Sequence, residues 1–68
     1  MITNQLYLEA LEELRWLIAQ RVKPPEQNEL AEKITVGLVL CYQAGDGDPN
    51  WRVLRRLVEQ ARAHREQR

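Results

Sequence analysis

Cys41 and His64 are the only thiol and the only imidazole in this 68-residue sequence, and their placement decides what chemistry they can support. They fall on different predicted helices, with no ligand cluster beside either, so they do not form a metal-binding set. Cys41 sits mid-stripe on an apolar helix face, where a free cysteine behaves as a small hydrophobe rather than a nucleophile. His64 lies on the inner stripe of the last helix near its C-terminal end, where the helix dipole favours a partly protonated imidazole. As a general base it would need a nucleophile or an orienting carboxylate, and the sequence singles out neither. Packing or capping is the simpler role.

The carboxylates are no more specific. Asp46 and Asp48 alternate with glycine as at the start of a calcium loop, but the twelfth position is Leu57 where a bidentate Glu should stand. Asp48 followed by Pro49 reads instead as an N-cap and a first helical residue. Glu9, Glu12 and Glu13 share one side of the first helix and are expected to be a solvated face, with Glu12 near Arg15 or Trp16 one turn on. No catalytic, cofactor or metal site is expected, and so no enzyme.

The third helix is the one basic feature. From Pro49 onward there are six arginines, at 52, 55, 56, 62, 65 and 68, against Glu59 and Glu66, a net of +4. Arg52, Arg55 and Arg62 are placed outward, with Arg56 and Arg65 at the flanks. Arginine suits bidentate contact with phosphate or carboxylate. Arg52, Arg55, Arg56 and Arg62 are therefore candidate nucleic-acid contacts. Against this, residues 24–48 carry a net of −4, and a neighbouring acidic second helix could neutralise the third. The short helix and tight turn of a helix-turn-helix unit are also missing.

These side chains need elements to position them, and the periodicity supplies three helices. The first spans about residues 3–22, with Tyr7, Ala10, Leu11, Leu14, Leu17 and Ile18 on one face, Leu6 and Val22 at its edges, and Glu9, Glu12, Glu13 and Gln20 opposite. Lys23-Pro24-Pro25 ends it. Pro25 opens a second helix to about residue 43, with Leu30, Ala31, Ile34, Leu38 and Cys41 as its stripe and Tyr42 at the margin. Gly45 is expected to close it in the left-handed conformation. The third runs over about residues 49–65, with Val53, Leu54, Leu57, Ala61 and His64 inward, Trp51 and Val58 flanking, and the last three residues fraying. The expected fold is a single all-α domain over residues 1–68, a small three-helix bundle. The alternative is an α-β-α chain in which residues 34–42, rich in β-branched side chains, form a strand pairing between subunits.

Apolar side chains off the core stripes give the clearest functional clue. Leu8, Trp16 and Ala19 on the first helix, and Val36, Val39 and Leu40 on the second, are the expected partner interface, because large apolar groups supply most of the binding energy at such surfaces. The competing reading is a central second helix buried on both sides. A chain this short, with one cysteine and so no internal disulfide, gains most from a second copy of itself. The expectation is a self-associating interaction or assembly module, a homodimer that also meets another protein, with a small nucleic-acid-binding or regulatory protein as the alternative. The net charge of zero argues against a wholly basic or acidic surface. The uncharged stretch 34–45 is shorter than the roughly 18 to 20 residues that cross a bilayer. No signal-peptide pattern opens the chain, and the lone thiol suggests a reducing cytoplasm.

Overall fold

The computed structural model describes residues 4–20, 25–45 and 47–66. They form α1 (Gln5–Ala19), α2 (Pro25–Gln43) and α3 (Asn50–Glu66), each packed against the other two, with no strand among the described residues. The fold is a three-helix, all-α bundle. Thr3, Val22, Lys23, Pro24, Asp46 and Arg68, to which the sequence reading gave roles, lie outside the described residues.

Local side-chain chemistry fixes the helix ends. Asn4 is extended and its Oδ1 accepts from the Leu6 amide at 2.9 Å, satisfying one of the amide groups that the first turn leaves without a partner. At the other end Gln20 is already extended (φ −67°, ψ 132°), so α1 stops at Ala19, short of the expected residue 22. The Gln20 side-chain amide donates to the Trp16 carbonyl at 3.2 Å, back onto the last turn. Pro25 opens α2, where its missing amide costs nothing. Asp48 caps α3 as expected, with Oδ1 accepting from the Asn50 amide at 2.8 Å.

Two expectations about the middle of the chain are corrected. Residues 34–42 lie wholly inside α2, which overturns the intersubunit strand. Their buried members, Ile34, Gly37, Leu38 and Cys41, recur at steps of three and four, and that packing overrides the strand preference of Ile, Thr and Val. Thr35 is accommodated by donating its hydroxyl to the Ala31 carbonyl at 2.8 Å. Nor does Gly45 close α2 left-handed, since no described glycine has a positive φ. The chain turns through hydrogen bonds from the Ala44 amide to the Cys41 carbonyl and from the Asp48 amide to the Gly45 carbonyl. The Trp51 indole pins that turn by donating to the Gly45 carbonyl at 3.0 Å.

The core consists of Leu6, Ala10 and Leu17 from α1, Leu30, Ile34, Leu38 and Cys41 from α2, and Trp51, Leu54, Leu57, Val58 and Ala61 from α3. Tyr7 joins the three helices at one end, its ring 6.5 Å from Tyr42 and 6.4 Å, edge-on, from Trp51. Glu13 is buried although the sequence reading put it opposite the core, whereas Leu11, Ile18 and Val53, expected inside, are exposed. Relative to expectation the buried face of α1 is turned by roughly 70°, and that of α3 by about 50°, on a helical period of about 100° per residue. The two turns bring the flank of α1 bearing Glu9 and Glu13 against the flank of α3 bearing Arg62 and Arg65.

Candidate interaction surfaces

The apolar flanks displaced by that turn are exposed. Ile18 is 57% exposed, and Leu11 and Val53 are also at the surface. On α2 itself Val36 (58%), Val39 (57%) and Leu40 (46%) face outward, spaced so that Val36 neighbours both of the others on the helix surface. The competing reading, a central helix buried on both sides, is therefore not what forms, because α2 buries one face and leaves the other in water. Between α1 and α2 runs a groove of ≈ 620 Å³ lined by Leu14, Ile18, Ala31 and Val36, with Asn28, Glu32 and Thr35 completing its wall.

Of the six residues expected at an interface, five are exposed: Leu8, Ala19, Val36, Val39 and Leu40. Trp16 is corrected, since it is half-buried and packs against the core. Turning α1 toward α3 moves Trp16 inward by the same rotation that moves Ile18 out. Ile18, Leu11 and Val53 are exposed as well, although apolar periodicity alone places them inside. The signal that could have placed them was polar, namely carboxylates at 9 and 13 on one helix and guanidinium groups at 62 and 65 on another.

Those four charges form a cluster at the α1–α3 seam. Arg62 Nη2 donates to Glu9 Oε1 at 2.6 Å, and Arg65 Nη2 and Arg62 Nε lie 3.1 and 3.7 Å from Glu13 Oε2. Glu13 is 1% exposed, and a carboxylate that deep is tolerated only when cations accompany it. Its Oε1 makes no hydrogen bond among the described residues. The hydrogen bond it donates to Glu9, with the charge of the nearby carboxylates, holds the Arg62 guanidinium still more firmly protonated.

This arrangement divides the candidate phosphate contacts. Arg62 is tied to α1 and is removed from the set, whereas Arg52, Arg55 and Arg56 are exposed and in no ion pair among the described residues. The neutralising carboxylates also come from α1, not from the acidic second helix; in α2, Glu29 pairs with Lys33 at 3.1 Å. Arg52 and Arg55 line a hollow of ≈ 220 Å³ with Asn4, Leu6 and Trp51.

The remaining chemistry-bearing residues sit apart. Cys41 is buried, and desolvation, aided by the Asp48 carboxylate, pushes its thiol above the ordinary range, so it is protonated at neutral pH. His64 borders a separate hollow with Glu26, Glu29, Lys33 and Gln60. Among the described residues no group of three or more His, Cys, Asp or Glu is placed to hold a metal ion, and no described helix is long and apolar enough to cross a membrane. The chain matches no protein-family model, no curated protein and no solved structure.

Proposed function

We propose that this protein is a small helical interaction and assembly module that self-associates through the outer face of α2 and the adjoining edge of α1, with no catalytic role of its own. The observation that carries this reading is the exposure of Val36, Val39 and Leu40 on one helix face, with Val36 and the exposed Ile18 lining a common groove. Leaving each large side chain in water forgoes roughly 1.5 to 3 kcal/mol, and a bundle of 68 residues has little stability to spare. The bundle measures 35 × 19 × 18 Å, so one long face has an area on the order of the ~800 Å² per partner that a standard interface buries. A second copy supplies a matching apolar face by symmetry, and two-fold dimers are the commonest closed assembly. The dimer then presents its remaining surface to a further protein. A reducing cytoplasm suits a chain whose single thiol has no internal partner.

Light scattering tests the proposal directly. The wild type should have the mass of a dimer at tens of micromolar, and Val39→Glu should dissociate it with the helices retained, or unfold it if folding and pairing are inseparable. A monomeric wild type at that concentration would overturn the reading.

A further inference from the structure

We infer a second, independent site where the start of α1 meets the start of α3: the hollow lined by Arg52 and Arg55 takes the phosphate group of a phosphate ester. The α1–α3 ion cluster pairs the half-buried Arg62 and Arg65 with Glu9 and Glu13, and it leaves the exposed Arg52 and Arg55 without a carboxylate partner among the described residues. The two are three residues apart, neighbours on the helix surface about 5–6 Å apart at Cβ, and both line the hollow, so two guanidinium forks are within reach of one tetrahedral anion. No carboxylate lines the hollow. Of the nearest acids, Asp48 spends Oδ1 on the Asn50 amide, and Glu59, exposed one turn beyond Arg55 and Arg56, pairs with neither. Asn4 gives Oδ1 to the Leu6 amide, which leaves its side-chain NH₂ as a donor at the rim, while Leu6 and Trp51 supply apolar wall.

Size narrows the ligand. A volume of ≈ 220 Å³ exceeds the ~30 Å³ share of a water several-fold and falls below the roughly 300 Å³ at which whole-ligand pockets begin. It fits a phosphate and the atoms next to it, so an ester should bind more tightly than the free ion. Arg56, exposed and next in sequence to Arg55 but outside the hollow's lining, can add a contact only if the ester carries a further phosphate, as a chain of nucleotides does.

The test follows the arginine side-chain and Trp51 amide signals of the full chain by ¹H–¹⁵N spectroscopy at low salt. The probes are inorganic phosphate, a nucleoside monophosphate, a short single-stranded oligonucleotide and, as the carboxylate control, an acidic peptide. Shifts at Arg52, Arg55 and Trp51 with both esters, stronger than with inorganic phosphate, are expected. Arg52→Gln with Arg55→Gln should weaken binding roughly tenfold or more. A strand that binds more tightly than the monophosphate and also loses affinity on Arg56→Gln identifies nucleic acid as the source. Equal affinity, with Arg56→Gln silent, identifies a small ester. Two results overturn the site: no shift with any phosphate probe at millimolar concentration, or an acidic peptide that binds as well as the esters.

Discussion

Glu13 shows how one polar side chain sets the packing around it. Its carboxylate is buried and the two arginines that face it are partly exposed, so the two halves of the cluster respond differently to removal. Arg62→Ala with Arg65→Ala strands a charge in the interior and should cost about 3 kcal/mol, whereas Glu13→Met leaves Arg62 on Glu9 and frees Arg65, which water can solvate, and should change stability by about 1 kcal/mol or less. Urea denaturation of both variants checks this; equal losses would mean that the pairs themselves, not the buried carboxylate, carry the effect. Cys41 gives a pH dependence. Its folded thiol titrates above the unfolded one, so the folded state holds the proton more tightly. Its contribution is fully present below the unfolded value of about 8.5 and is lost as pH rises through the folded one. Stability measured across that range should fall with pH in the wild type and fall less in Cys41→Ala.

At the scale of the elements, α2 is held close to α3 at Gly37. A β-carbon there would lie 3.3 Å from Leu54 Cδ1 and 3.7 Å from Leu57 Cδ1. Gly37→Ala gains about 1 kcal/mol in helix propensity and loses a comparable amount in crowding, so thermal unfolding should shift little. Gly37→Val has no room for its two methyl groups and should cost about 1 to 3 kcal/mol. A wild-type melting temperature for Gly37→Val would mean that the α2–α3 seam is looser than this geometry. The strand preference of residues 34–42 misleads at this same scale, because only Ile34 of its β-branched side chains is buried, and the positions that pack, Ile34, Gly37, Leu38 and Cys41, recur every three and four residues.

For the whole molecule, the two proposed surfaces lie on different faces and have different chemistry. Self-association rests on apolar burial, phosphate binding on charge, and salt separates them. Raising ionic strength should weaken ester binding and leave the dimer mass unchanged. Pairing also makes stability depend on concentration: the melting temperature of the wild type should rise with protein concentration, and that of Val39→Glu, if it folds, should not. A concentration-independent wild-type melt would set the dimer aside.

Periodicity, prolines and cap residues were enough for three helices, their approximate ends and the Asp48 cap, because these depend on groups a few residues apart. Leu6, Ala10, Leu17, Leu30, Ile34, Leu38, Leu54 and Leu57 were legible as interior for the same reason. How far each helix is rotated about its own axis was not legible. That angle is a compromise between apolar burial and the pairing of Glu9 and Glu13 with arginines some fifty residues away. Only the tertiary structure could set it, and with it which apolar flanks, Ile18 and Val53 rather than Trp16, are left facing water.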